Sequence, residues 1–322
     1  MPAQTPDPAG LRDPRLLLPF LLVTLIWSST WIVIKGQLGV VPPVWSVSYR
    51  FLIAGAVMAV VAKGAGTPLA LDAKGQWLAL LLGLLQFVLN YNFVYAAETH
   101  INSGLTAVVF ALLVVPNAVM ARLFFGARVS GRFVVGSAVT MAGVGLLFLN
   151  ELGSAQTGAH DALTGLGFTL LAVLAASCAN VMQLAPAMRG RAIGGVLAWA
   201  MLYGGAADAV FAWTTSGPPV FDPRPVYWAG LIYLGVIASS LAFWLYYRII
   251  RAIGAAEAAY SSVLIPIVAM AISTVFENYR WTPLAIGGGL LAIAGLVTAL
   301  GARRPVSDAV AADAGLPGPP DR

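Results

Sequence analysis

The chain has 322 residues, of which 59% are hydrophobic and only 10% charged, with a formal net charge of +5. A soluble domain carries about 25% charged residues, so the composition excludes the two soluble domains that length alone would allow. The basic residues stand singly or in pairs between apolar segments, which excludes the patch or stripe of a nucleic-acid binder. A single cysteine, Cys178, excludes an internal disulfide framework and a paired-thiolate metal site.

Apolar stretches of roughly 20 residues, enough to cross a bilayer core as an α-helix, occupy 16–35, 43–62, 76–97, 103–125, 131–149, 163–183, 194–213, 226–249, 257–276 and 283–301. The first run, Leu16 to Ile34, is too long for a signal-peptide core and has no small-residue cleavage site, so it reads as a retained helix. It holds Trp27, Thr30 and Trp31 on one face, with Ser28 beside them and Lys35 a turn further on. Tryptophan prefers membrane interfaces; at mid-span it reads as the wall of a substrate cavity or as a packing residue. Arg50, early in the second helix, is expected to form a structural ion pair or to attract an anionic group.

The third helix carries Gln86, Asn90, Tyr91, Asn92 and Tyr95 and closes on Glu98. Amides in lipid must find partners, and Asn90 and Tyr91 are candidate substrate ligands, with interhelical hydrogen bonds as the alternative. Pro116 in the fourth helix removes a backbone hydrogen bond and can kink it. The sixth helix offers Ser177, Cys178, Asn180 and Gln183; Asn180 is the candidate ligand and Cys178 a small packing residue. On the seventh, Trp199 and Tyr203 stand one turn apart, and Asp208 lies in an apolar setting. On the eighth, Ser240, Trp244 and Tyr247 form a stripe, with Trp244 the candidate for the cavity and Tyr247 an interfacial anchor. Glu257 opens the ninth helix and Pro266 interrupts it. Glu98, Asp208 and Glu257 are candidate coupling residues, because acids in a membrane interior default to a functional reading. Structural roles at helix ends compete with that reading.

Placing the N-terminus in the cytoplasm puts 14 of the 18 Lys and Arg residues on that side, leaving Lys35, Arg50, Arg224 and Arg280 outside. That bias supports an even number of spans with both termini cytoplasmic. The two halves also resemble each other: Gly104 aligns with Gly254, Phe110 with Tyr260, Pro116 with Pro266 and Ala121 with Ala271, and after a small offset Ala142-Gly143 with Ala294-Gly295. Five spans per half is an odd number, so the halves are inverted relative to each other, a common plan of secondary transporters. The expected fold is an all-α integral membrane protein with ten transmembrane helices in two inverted five-helix repeats. A cytoplasmic N-terminal segment (1–15), the first repeat (16–149), an outer linker (150–162), the second repeat (163–301) and a disordered cytoplasmic tail (302–322) follow in order.

The segments LIWSSTWIVIKGQLGVVPPVWSVSYRFLIAG and LGVIASSLAFWLYYRIIRAIGAAEAAYSSVLIPIVAMAISTVFE resemble the ten-span EamA branch of the drug/metabolite transporter superfamily. One departure is visible: members usually carry a Gly-Glu pair after the fourth helix, where this chain reads Phe125-Gly126-Ala127-Arg128, while the second half keeps Glu277. The resemblance implies export or exchange of a small metabolite such as an amino acid or amine. Many aromatics and few buried charges suit the same amphipathic substrate, moved by alternating access. Trp27, Trp31, Asn90, Tyr91, Asn180, Trp199, Tyr203 and Trp244 are expected to line one central space, with Pro116 and Pro266 as hinges. The expected partners are the small-molecule substrate, a proton as coupling ion, membrane lipid and, in a homodimer, a second copy; monomer remains the alternative, and nucleic acid and cofactors are not expected. The competing classes are weaker. His100 and His160 lie in loops outside any His-Glu-x-x-His or serine motif, which argues against an enzyme. No ring of charges marks a channel filter, and no Gly-Lys-Ser/Thr loop marks use of ATP.

Overall fold

The computed structural model describes residues 14–126, 130–152, 158–182, 185–188, 190–246, 249 and 261–300. Among these the chain is helical throughout, without a strand, as a bilayer demands of backbone that must satisfy its own hydrogen bonds. In chain order the long helices are α1 (Pro14–Gln37), α2 (Pro43–Gly64), α3 (Ala73–His100), α4 (Ser103–Phe124), α5 (Gly131–Leu152), α6 (Ala159–Met182), α7 (Ile193–Ser216), α8 (Pro225–Tyr246), α9 (Ser261–Phe276) and α10 (Pro283–Leu300). The first eight are long and apolar enough to cross a membrane, and shorter apolar helices cover Leu264–Phe276 and Pro283–Ala299. This is an integral membrane protein. Glu257, Tyr247 and Gln183 lie outside the described residues, as do 1–13 and the 301–322 tail.

Local chemistry sets the helix ends. Pro43 and Pro225 open α2 and α8 at the position where a missing N–H costs nothing. Asp72 caps α3 by accepting from the Gly75 amide at 2.9 Å. Gly126 ends α4 in the left-handed region at φ 67°. Side chains such as Leu18, Val60, Leu123 and Phe124 are exposed; in water they would be a liability, and against lipid tails they are ordinary surface.

The most extensive helix pairs are α5 with α10 and α2 with α7. Glycine makes both possible. A Cβ on Gly55 would lie 2.9 Å from the Leu202 backbone nitrogen, and one on Gly205 would lie 2.8 Å from that of Leu52. Along α5 and α10, a Cβ on Gly143 would strike the Ala292 backbone and one on Gly295 the Thr140 backbone. Helices in lipid associate through such small-residue faces because no hydrophobic effect draws them together. Further contacts pair α3 with α6 and α1 with α8, α1 with α9 and α4 with α6, and α2 with α8 and α3 with α7.

Two helices change their hydrogen-bond register within the membrane. Gly83–Leu89 of α3 and Tyr233–Leu241 of α8 are π-helical. A polar side chain answers the loosened carbonyls in each. Asn90 Nδ2 donates to Gln86 O at 3.2 Å, and Ser240 Oγ donates to Gly235 O at 3.2 Å and to Ala54 O at 2.8 Å. In α4 the turn Ala111–Leu113, just before Pro116, tightens to a 3-10 form, as a residue lacking its N–H permits.

Candidate functional site

A buried polar cluster lies toward the end of the bundle that holds the α1–α2, α3–α4 and α7–α8 connections. Its centre is Arg50 on α2, only 1% exposed. The Arg50 Nε donates to Ser239 Oγ in the π segment of α8 at 3.1 Å. Its Cζ stands 4.4 Å from the Tyr91 ring centre and 5.3 Å from that of Phe51, a cation–π arrangement. Nη1 has no hydrogen-bond partner. On α3, Tyr95 donates its hydroxyl to Gln37 Oε1 at 2.8 Å, one turn from Glu98. Glu98 is fully buried and neither carboxylate oxygen has a partner. Lys35 donates instead to the backbone carbonyls of Glu98 and, at 3.0 Å, of Ile101. Among the described residues, the ion pairs are His100–Asp161, Arg191–Asp72 and Arg224–Asp222. Among the described residues the structural ion pair expected for Arg50 is not formed: it meets the Ser239 and Tyr95 hydroxyls and two aromatic faces.

Next to this cluster runs a continuous aromatic surface. Trp27 packs on Phe243 (5.5 Å between ring centres) and Tyr246 (4.8 Å) and donates its Nε1 to Ala238 O at 3.2 Å. Phe243 meets Phe87 edge-on at 6.0 Å, Phe87 meets Phe51 at 4.7 Å, and Phe51 meets Tyr91 at 4.7 Å. Trp31 packs on Phe110 at 5.4 Å, and its buried indole N–H is unpartnered. Asn90 is buried with its Oδ1 unpartnered. Trp27, Trp31, Tyr91 and Phe110 belong to, or pack against, one hydrophobic cluster. Asn180 is half-buried on α6, two residues beyond Cys178, whose thiol and the Ser177 hydroxyl both face Met120.

Trp199 and Tyr203 sit elsewhere. They stack on each other at 5.5 Å, and Trp199 Nε1 donates to Leu69 O while Tyr203 donates to Gln76 Oε1, both at 2.8 Å. They thus fasten α7 to the α2–α3 connection and to the first turn of α3. Arg191 adds to this seam by pairing with both Asp72 oxygens and donating to Ala187 O at 2.8 Å. The Arg191 hydrogen bonds hold the Asp72 carboxyl down at about 2. Trp244 borders a cavity of about 280 Å³ near this seam, with Met58, Thr67, Pro68 and Ile193.

A second seam fastens α2 to the α7–α8 connection, and sequence reading had not singled it out. Trp45 stacks on Tyr49 at 5.4 Å, and they donate to Gly217 O at 3.2 Å and Val220 O at 3.1 Å. The usable signal was the aromatic pair one turn apart, the same spacing as Trp199 and Tyr203.

The remaining acids have distinct settings. Asp208 is fully buried; its Oδ1 accepts from Asn92 Nδ2 at 2.7 Å, and its Oδ2 is unpartnered. Glu277 accepts from the Ser103 amide at 3.2 Å and from the Ser103 hydroxyl, so it braces the start of α4. Pro116 is half-buried, and Pro266 lines an apolar groove of about 480 Å³ with Met270, Thr274, Leu290 and Ile293.

The arrangement is a buried polar cluster beside packed aromatic rings inside a helical membrane protein. The sequence pattern of the EamA-like transporter family matches residues 15–149 and, a second time, 163–301. The chain belongs to the EamA-like transporter family. Protein PagO of Salmonella typhimurium is 20% identical over 84% of this chain and 87% of its own length. A probable amino-acid metabolite efflux pump of Escherichia coli is 24% identical, covering 86% and 91%. A probable terminal-alkyne amino-acid exporter of Streptantibioticus cattleyicolor is 27% identical over 65% and 69%. A solved crystal structure, 20% identical, superposes with a TM-score of 0.66 over 90% of this chain and 98% of the other. At that identity the likeness speaks to the fold alone.

Proposed function

We propose that the protein exports a small amphipathic metabolite, an amino acid or amine, by alternating access between two inverted five-helix halves. The observation that carries this reading is the reciprocity of its contacts. Leu202 lies over Gly55 as Leu52 lies over Gly205. The same shift along the chain relates Pro116 to Pro266, Asn90 to Ser240 and the π segment of α3 to that of α8. On α5 and α10, Gly143 approaches Ala292 as Gly295 approaches Thr140. Helix pairs follow the exchange too: α3 with α6 answers α8 with α1, and α1 with α9 answers α6 with α4. The separate match of each half to the family pattern agrees with it. Two halves able to exchange shapes are what alternating access requires.

On this reading α9 and α10 are the ninth and tenth spans. The charge bias favours both termini in the cytoplasm, and the bacterial relatives favour a bacterial plasma membrane location. Trp27, Trp31, Asn90, Tyr91 and Asn180 face the central path, and Trp199, Tyr203 and Trp244 guard its cytoplasmic approach. Pro116 and Pro266 are the bending points. Asp208, a buried carboxyl with a single neutral partner, is the favoured group for coupling to a proton, ahead of Glu98 and Glu257. The substrate class is supported by the relatives named as amino-acid metabolite pump and amino-acid exporter. Saturable, counter-substrate-stimulated flux of an amino acid or amine into proteoliposomes is the expected result. Flux that rises linearly with concentration, as through a channel, overturns the carrier reading.

A further inference from the structure

The inference concerns the substrate's head group, and it rests on the carrier reading above. Arg50 is 1% exposed and Glu98 is 0% exposed. They carry opposite formal charges, and Glu98 feels Lys35 first, then the like-charged Glu277 and then Arg50. Arg50 and Glu98 are not in contact. Arg50 keeps Nη1 unpartnered and Glu98 keeps both carboxylate oxygens unpartnered. Among the described residues Lys35 is the other cation at this place, and it is occupied by two backbone carbonyls. In a low-dielectric interior each such group calls for a partner of opposite sign, and this fold holds the two apart. The atoms beside Arg50 are of mixed type: the Tyr95 hydroxyl stands against it, and the unpartnered Nε2 of Gln37, which Tyr95 meets, can donate. The Tyr91 and Phe51 rings give this place an apolar side, and the Trp31–Phe110 pair packs in the same hydrophobic cluster.

We propose that Arg50 and Glu98 together recognise the zwitterionic head of an α-amino acid, Arg50 Nη1 taking its carboxylate and Glu98 its ammonium, with the side chain lying against Trp31 and Phe110. A plain amine satisfies Glu98 and leaves the guanidinium uncompensated. A plain carboxylic acid does the reverse. Only a molecule carrying both charges on neighbouring atoms neutralises the pair, so the site selects amino acids over amines. Because Arg50, Glu98, Trp31 and Phe110 lie on α2, α3, α1 and α4, the first half holds both the head group and the side chain.

The test measures binding by intrinsic tryptophan fluorescence on the purified full chain in detergent. The probes are phenylalanine, leucine and threonine, each beside its matching amine and its des-amino acid. The wild type should bind at least one amino acid ten-fold or more tighter than both of its one-charge analogues. Glu98→Gln should bring that amino acid level with its des-amino acid, and Arg50→Gln should bring it level with the amine. If Arg50→Gln does not purify as a monodisperse protein, Glu98→Gln alone decides, since it keeps the guanidinium. Equal binding of amine and amino acid by the wild type, or a Glu98→Gln protein that keeps the wild-type preference, overturns the proposal. So does failure of every probe to bind. Saturable flux that ignores both substitutions sinks this assignment and leaves the carrier reading standing, whereas linear flux sinks the carrier reading itself.

Discussion

Asp72 does two jobs with one carboxylate: it caps α3 and it meets Arg191 across the α2–α3 seam. Asparagine caps a helix as well as aspartate, so Asp72→Asn removes the ion pair alone. The carboxyl sits at about 2 in the folded protein against an ordinary 3.8. A lowered folded value means that the contribution is fully present above the ordinary value and is lost as pH falls through the folded one. Wild type and Asp72→Asn should therefore differ in thermal unfolding temperature by a constant amount above about pH 5. The gap should close between about pH 4 and pH 2. The difference will be small, because exposed pairs contribute little. A gap that persists unchanged at pH 2 assigns it to something other than this pair. Glu277 is the other informative residue. It is the acid that the second half keeps, and it braces Ser103, at the start of a helix in the other half. Glu277→Ala should cost about 1 kcal/mol of stability, the usual loss for a helix cap, with Ser103→Ala giving no further loss in the double variant. Which residue an acid would reach was not readable from the chain, because nothing local encodes a partner on α4.

Among elements, the helix boundaries were legible to within a few residues: Ser103 and Pro283 begin helices where the apolar runs begin. Hydropathy says how much of a helix is buried in lipid but not which way each side chain turns. Trp199 and Trp31 are both mid-helix tryptophans, yet one reaches a loop carbonyl at Leu69 and the other keeps its N–H free among rings. The π segments were not legible either, since a register change in backbone hydrogen bonding leaves apolar composition untouched. Their trace is the polar residue just after or at their end, Asn90 or Ser240. The glycine faces are testable directly. Gly143→Leu has to push α5 off α10, where backbone meets backbone. We expect a loss of about 1–3 kcal/mol, the range of overpacking, read as a lower unfolding temperature. The same change at Gly145, which has open space around it, should be nearly silent. For the hinges, replacing Pro116 and Pro266 together with alanine should slow transport in proteoliposomes while leaving substrate affinity within a factor of about three, an equilibrium change of less than 1 kcal/mol. Wild-type turnover in that double variant removes the hinge role.

For the molecule as a whole, the ten-span inverted plan proposed above predicts that a reporter fused after Arg304 reports from the same side of the membrane as one fused at the N-terminus. A reporter active on the opposite side breaks the ten-span topology. The two seams extend this to energetics. Trp45 and Tyr49 hold α2 to one connection, and Trp199 and Tyr203 hold α7 to the other. A carrier that opens to one side breaks the bonds of one seam and keeps those of the other. Its preferred resting direction is then a small difference between two nearly equal sums, and removing one hydrogen bond tilts it by about 1 kcal/mol. Tyr49→Phe and Trp199→Phe, at positions related by the same shift along the chain, remove matching bonds from opposite pans of that scale. Equivalent lesions should thus push the population in opposite directions, and the double substitution should return it close to where it began.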